Sequence, residues 1–297
     1  MELHQLRYVV AIANTGNFTR ASEVSFVSQP SLSQQVAKLE KELGHKLFHR
    51  LGRRAVPTDA GAVFIERARR ILVEVENATS EIRDDPQLGR QITLGAIQTV
   101  APYILPSLIM RTREVLPNLQ INTYEGFRGD LVEGLVDGRI DLALVAMPLN
   151  DSRLSTESIF REPLLLAVGR NHRLATKRTF TVADLADETF IMMGRSSTLT
   201  EQVNEFCGEY DFEPKIGFRC GQVSTLKSLV GLGLGIAILP RLVQSPADHN
   251  TIIYRHLTDR MPTREIGIVR HLQRYQSRGM GQFLELIRQI FHGFGDA

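Results

Sequence analysis

Cysteine is scarce: the 297 residues include two, Cys207 and Cys220, too few for a disulfide framework. Long apolar runs are missing too. The longest, Val230–Pro240, is far shorter than the ~20 residues a membrane helix requires. The opening residues, MELHQLRYVV, mix acid and base around no extended apolar core, so they do not read as a secretion signal. These absences lead to the expectation of a cytoplasmic protein with no membrane partner. Catalytic motifs are equally wanting. There is no phosphate-binding loop, no nucleophile elbow and no zinc-protease helix. Gly231, Gly233 and Gly235 follow a helical pattern and enter a strand, the reverse of a dinucleotide turn. His45 and His49 lie four apart but follow Gly44, where no helix is expected to align them on a metal. No enzyme, no metal and no cofactor is expected.

A net charge of +2 says little by itself, but its distribution is uneven. Residues 1–58 hold eight Lys and Arg against four Asp and Glu, a local +4 that leaves the remainder at −2. Within this basic end, Phe18–Pro57 reads as a short helix, a tight turn, a longer helix and a basic loop. Ala21 and Val24 are expected to face a core, and Val27 to fill the turn. Ser28 suits an N-cap, and Pro30 suits the first helical turn. Leu32, Val36, Leu39 and Leu43 recur at helical spacing, and Gly44 ends the pattern. The other face offers Gln29, Ser31, Ser33, Gln34, Gln35 and Lys38, hydrogen-bonding chains suited to base edges in a major groove. Arg50, Arg53 and Arg54 lie between two short extended pieces, Lys46–Phe48 and Ala55–Val56, as a wing suited to phosphates. A helix-turn-helix pattern alone fits a solvated helical hairpin as well; the cap, polar face and arginine wing in this order favour double-stranded DNA.

Residues 1 to about 60 resemble the winged helix-turn-helix of the LysR-type transcriptional regulators. The resemblance rests on Leu3, Gln5, Leu6 and Tyr8, on Asn17, Phe18, Thr19 and Ala21, and on the run Val27–Ser33. Leu39, Glu40, Leu43, Gly44, Leu47, Phe48, Pro57, Thr58 and Gly61 continue it. It implies DNA contacts from Thr19, Gln29, Pro30, Ser31, Ser33, Gln34, Lys38, Arg50, Arg53 and Arg54 on an imperfect inverted repeat. Many members carry a basic residue where this chain has Gln34.

After Thr58, a helix is expected to run to about Arg83, with Gly61, Phe64, Ala68, Ile71, Val75, Ala78 and Ile82 forming a heptad seam. An intramolecular groove would cover such a stripe, and so would a second copy. The resemblance implies the second, a linker helix that makes a homodimer or homotetramer, with RNA polymerase as a further partner. Asp84–Gly89 reads as a hinge. From Gln91 short β-rich runs alternate with helical patterns, which predicts an α/β domain with a largely parallel sheet. The expected organisation is an all-α winged helix-turn-helix over 1–58, a linker helix over 59–84 and a hinge over 85–90. An effector domain over 91–297 follows. The resemblance implies that this domain has the two-lobed periplasmic-binding-protein-like (type 2) α/β fold. Lobe I would span about 91–162 and 264–297, and lobe II about 163–263.

Three segments there suit a ligand: Gln98–Thr99–Val100, Ser196–Ser197–Thr198 and Val223–Ser224–Thr225. Each lies where a helix opens. Singly, each reads as a hydroxyl N-cap; together, at positions of the family's effector cleft, they read as one site. Arg128 joins them, either as a fork for an anion or as a surface arginine paired with Glu125 or Asp130. The expected effector is a small anion held by Gln98, Thr99, Val100, Arg128, Ser197, Thr198 and Ser224. The segment Gln98–Pro106, with Thr225–Leu226 and Gly233–Pro240, is similar to the peroxide-sensing, OxyR-like branch of the family. Cys207 matches the resolving cysteine of that branch, but Thr198 stands where its reactive cysteine would be. A hydroxyl forms no disulfide, so the redox reading stands as the alternative.

Overall fold

The computed structural model describes residues 1–52, 54–82, 91–257 and 262–292. Contacts divide them into two compact units, an N-terminal one ending in the long helix and taking in Gln273–Ser277, and a larger one formed by the rest. Arg53 and the expected hinge at Asp84–Gly89 lie outside the described residues.

In the N-terminal unit, helix α1 (Leu3–Thr15) buries Leu6, Val9 and Ile12 and stops at Gly16, which takes the left-handed conformation at φ 62°. Helix α2 (Phe18–Val24) begins at Asn17, whose side chain accepts hydrogen bonds from the N–H groups of Thr19 and Arg20 at 2.8 and 3.1 Å. Helix α3 (Gln29–Leu43) begins at Ser28, whose hydroxyl accepts from the Ser31 N–H, and carries Pro30 in its first turn. Leu32, Val36 and Leu39 of α3 are buried with Val9, Ile12, Ala21 and Phe48 in one core. Apart from the small Ala21, each contributes about 1.5–3 kcal/mol through apolar burial. Val24, expected in that core, is instead 60% exposed, because α2 ends there and the turn carries it outward.

Strands β1 (Phe48–Leu51) and β2 (Arg54–Pro57) pair antiparallel, with Arg50 opposite Ala55 and Leu51 opposite Arg54. The first extended piece therefore lies further along the chain than Lys46–Phe48, while the second contains the expected Ala55–Val56. Arg50 and Arg54 sit on the strands, not on the loop between them. Strand alternation explains why: Phe48 and Ala55 turn inward and the residues beside them turn out.

Helix α4 (Asp59–Ile82) follows at once. The Thr58 hydroxyl accepts from the Gly61 N–H at 2.9 Å, and the Thr58 N–H donates to the Leu47 carbonyl at 3.0 Å. A Cβ at position 61 would collide with that same carbonyl, so only glycine fits this crossing. Along the expected seam, Gly61 and Ala68 are buried within the unit. Ile71 is 40% exposed, and Ile82 is 88% exposed.

The larger unit begins with β3 (Gln91–Ile97), α5 (Ala101–Val115), β4 (Gln120–Gly126), α6 (Arg128–Asp137) and β5 (Leu142–Ala146). Strand β3 pairs parallel with both β4 and β5. The long β6 (Leu154–Gly169) comes next, then the one-turn α7 (Arg173–Thr176), β7 (Thr189–Met193), α8 (Thr198–Gly208), β8 (Lys215–Cys220) and α9 (Val223–Gly231). Last are β9 (Ala237–Pro240), β10 (Ile252–Arg255), β11 (Thr263–His271) and α10 (Arg278–Phe291).

Strand β11 runs antiparallel to both β5 and β6, and β9 and β10 both run antiparallel to β6. The main sheet is thus mixed, not largely parallel. Its parallel part is confined to β3, β4 and β5, with a separate parallel pair in β7 and β8.

Two apolar cores lie in this unit. One gathers residues from Ile92 to Phe160 with Ile266 to Phe291. The other gathers Leu164 to Leu257. Strand β6 belongs to both: its first half pairs with β11, and its second with β9 and β10. The chain passes between the lobes on β6 and β11, where Glu162 and Arg264 are register partners.

Candidate functional site

In the N-terminal unit, Ser31, Gln34 and Lys38 stand exposed along α3, with Gln29 and Ser33 half-buried beside them. Gln35 is otherwise engaged: its side-chain oxygen accepts from Gln5 Nε2 at 3.2 Å, which ties α3 to α1. Arg50 is held at two points. Its Nη2 donates to the Ser33 hydroxyl at 2.8 Å, and its guanidinium lies 4.2 Å from the centre of the Phe18 ring. The wing is thus joined to the polar face of α3, and the arginine presents its charge without first losing side-chain freedom. At the base of the wing, buried Glu40 accepts from the Leu47 N–H at 2.9 Å and from Lys46 Nζ at 2.7 Å. A groove of about 900 Å³ is lined by Thr19, Arg20, Gln29, Arg50 and Arg54, three of them cationic. Arg20 was not among the expected contacts, and Phe18 was expected only as part of the helix pattern, not as the support of Arg50. The signal for Arg20 was its place next to Thr19 in the first turn of α2.

In the larger unit, helices α5, α6, α8 and α9 follow strands β3, β4, β7 and β8, and none begins with a side-chain hydrogen bond from its N-cap. The expected hydroxyl caps are therefore not caps. Val100 precedes α5, and the Thr99 hydroxyl instead accepts from Arg264 Nη1 at 2.7 Å while Arg264 Nη2 donates to the Thr99 carbonyl at 3.3 Å. The same guanidinium meets Glu162 at 2.7 Å and is fully buried; Glu162 also accepts from the Leu242 N–H at 2.6 Å. Thr99, expected at the ligand, is thus bound into the lobe crossing.

Ser197 and Thr198 are both buried where α8 begins, and Ser197 makes no cap bond. Gln98 is half-buried and Val100 fully buried. Ser224 lies exposed on α9, where its carbonyl accepts from the Ser228 hydroxyl.

Arg128 opens α6 and pairs with neither Glu125 nor Asp130. Its Nη2 donates to Glu201 on α8 at 2.8 Å, and its Nη1 donates to the Pro148 carbonyl at 3.2 Å. Asp130 is occupied by the Phe127 N–H. Next to Glu201, Gln202 Nε2 donates to the Met147 carbonyl at 3.4 Å, and its enclosed Oε1 has no partner. The first turn of α8 in one lobe is thereby tied to two segments of the other. A cavity of about 650 Å³ lies beside these contacts, lined by Met147, Pro148, Arg161, Gln202, Phe206 and Glu265 among others. None of the seven expected effector residues lines it.

Both thiols are buried. Burial pushes the Cys207 thiol up to about 12, and it raises Cys220 as well. Among the described residues no helix is long and apolar enough to cross a membrane.

A helix-turn-helix with a basic wing, joined in one chain to a two-lobed α/β unit, defines a transcription regulator with a sensing domain. The chain belongs to the LysR family. Residues 3–62 match the model described as the bacterial regulatory helix-turn-helix protein of the lysR family, and residues 86–291 match the LysR substrate binding domain. It is therefore a DNA-binding transcriptional regulator with an effector-binding domain. Among curated proteins it is similar to the DNA-binding transcriptional dual regulator OxyR of Escherichia coli K12. The two are 32% identical over 271 residues, covering 91% of this chain and 89% of that protein. It is also 29% identical to the HTH-type regulator YcgK of Bacillus subtilis, over 97% of this chain and 94% of that protein. Among solved structures, a cysteine-substituted full-length OxyR from Pseudomonas aeruginosa superposes with a TM-score of 0.70 at 26% identity, covering 98% of this chain and 95% of that one. A hydrogen-peroxide-bound OxyR mutant from Corynebacterium glutamicum does so with a TM-score of 0.62 at 27% identity, over 98% and 92%.

Proposed function

We propose that this regulator responds to a small anion held between the two lobes of its effector domain, and acts without catalysis or a cofactor. The observation that carries the reading is the set of helix starts at α5, α6, α8 and α9. Each leaves its first-turn N–H groups without a side-chain acceptor, and each follows the end of a strand. Unpaired amides at helix N-termini attract negative charge. Arg128 adds a fork suited to carboxylate or another oxyanion. In this reading Gln98, Arg128, Ser197 and Thr198 meet the ligand, with Val100 packed behind them, Ser224 borders it, and Thr99 acts through Arg264.

On the DNA side, Gln29, Ser31, Gln34 and Lys38 reach bases in the major groove, with Ser33 shared between base and Arg50. Thr19, Pro30, Arg50, Arg53 and Arg54 line the backbone. A cytoplasmic homodimer or homotetramer places two or four such heads on an imperfect inverted repeat. The exposed residues Ile71, Ala78 and Ile82 of α4 support a seam with a second copy. RNA polymerase is the further partner. Ligand binding shifts the lobe arrangement, and with it the spacing of the heads.

A thermal-shift screen of the full chain against small anions, cations and neutral metabolites tests the sensing role. Selective stabilisation by one class of anion is the expected result; selective stabilisation by neutral or cationic compounds would overturn it. The alternative, an OxyR-like redox response, is favoured by the similarity to the Escherichia coli protein and opposed by two buried thiols. A peroxide-induced bridge between Cys207 and Cys220, seen by mass spectrometry, would establish it.

A further inference from the structure

Arg128 and Glu201 come from opposite lobes, and their ion pair is the charged member of a two-point tie whose other member is the Gln202–Met147 hydrogen bond. The two partners are unequal. Arg128 is 24% exposed, and the Pro148 carbonyl holds its second nitrogen; Glu201 is 49% exposed. The carboxylate is thus the better hydrated half of the pair, and the guanidinium the better anchored. Glu201 also sits in the first turn of α8, where a negative charge is favourable. We propose that Glu201 is a built-in rival of the effector: its carboxylate occupies the position on Arg128 that an incoming anion takes. This rests on the anion-binding reading above.

Two consequences follow from the geometry. An anion that takes Arg128 releases Glu201, so binding itself unfastens α8 from the Arg128 side of the cleft and changes how the lobes sit. The same competition sets a threshold. A ligand offering one weakly basic oxygen gains little over Glu201, whereas a carboxylate or tetrahedral oxyanion that also takes the N–H groups Glu201 leaves unused can displace it. Glu201 thereby sets affinity and the minimum ligand together. Because both groups are partly solvated, the rivalry is worth a modest factor, not an absolute block.

The test uses the full chain in four forms: unchanged, Glu201→Gln, Arg128→Gln and the double variant. Each is titrated calorimetrically with phosphate, benzoate and succinate at fixed ionic strength. In parallel, hydrogen exchange is followed in residues 126–130 and 198–202 without added anion. Glu201→Gln is expected to tighten binding of at least one anion about fivefold, Arg128→Gln to weaken it, and the double variant to show no gain. Exchange should rise in both segments for either single change, with no further rise in the double. If Glu201→Gln leaves affinity unchanged while Arg128→Gln weakens it, the rivalry is wrong and the anion site stands. If anions bind equally well with and without Arg128, the anion site at Arg128 fails. If no anion binds but the exchange changes are non-additive, the tie is real and the effector is not one of these anions, which overturns the rivalry. Additive or absent exchange changes would overturn the tie itself.

Discussion

Glu162 and Arg264 face each other on the two strands that pass between the lobes, joined by an ion pair of 2.7 Å within a fully buried guanidinium site. Thr99 and the Leu242 N–H complete the site, so four separate segments meet at one charge pair. A buried pair broken on one side leaves an uncompensated charge, at a cost of about 3–5 kcal/mol. Arg264→Met should therefore destabilise the effector unit by roughly that amount in urea denaturation. Replacing Glu162 by Leu and Arg264 by Met together should cost less than Arg264→Met alone. A double change as costly as the sum of two single changes would contradict this coupling.

Ser33 holds Arg50 without contributing charge of its own. Ser33→Ala should weaken operator binding a few-fold while leaving the dependence on salt concentration unchanged. Arg50→Ala should lower the salt slope by about 0.9, the value for one lost phosphate contact. Fluorescence anisotropy across a range of salt concentrations separates the two. Equal slopes in both variants would remove Arg50 from the phosphate backbone.

Cys207 is buried, and its thiol is pushed up to about 12. At pH 8 almost none is thiolate, the form that attacks disulfide reagents and peroxide. The folded protein should therefore react with neither thiol reagent nor millimolar peroxide at Cys207 over minutes, and should react fully once unfolded. Rapid modification of the folded chain, read by mass, would show that the site opens.

Asp248 tests acid sensitivity. Burial alone would raise its carboxyl, but hydrogen bonds from Lys227, Tyr254 and the Ser245 N–H outweigh it, so the folded value lies below the ordinary 3.8. A depressed carboxyl gives stability that is present above its unfolded value and lost as pH falls through the folded one. Asp248→Asn should thus cost about 3 kcal/mol at pH 7, where Lys227 would be left buried beside a neutral amide. The difference from the unchanged protein should shrink below pH 3.8. Denaturation at pH 7 and pH 3 would measure both.

The reading head was the most legible part of the chain, because its signals are local. The cap at Ser28, the proline at 30, the glycine at 44 and the apolar spacing through Leu39 each act within one or two helical turns. Wing placement was less legible: the strand boundaries depend on pairing between β1 and β2, which neither strand shows alone. In the effector unit the second half of β6 holds the apolar run Leu164–Val168, which marks a strand without help from its neighbours. Its first half, Leu154–Pro163, is polar and half-exposed, and β11 beside it makes it a strand. The same limit hid the partner of Arg128. Sequence distance favoured Glu125 or Asp130, and the fold supplied Glu201, 73 positions away. Thr99 was found as a polar residue at a helix start, but its partner Arg264 lies 165 positions on.

The glycine at position 61 has a mechanical meaning. Because nothing larger fits between α4 and the Leu47 carbonyl, and because Thr58 bonds to both sides of that crossing, the reading head and the first turn of α4 move as one body. The 24 residues of α4 make a rod of about 36 Å. Tilting such a lever by about 10° swings its far end through roughly 6 Å, more than the ~3.4 Å rise of one base pair. In the proposed dimer, a small angular adjustment at the α4 seam would therefore be delivered to DNA as a change of register, with no bend in the head itself to absorb it.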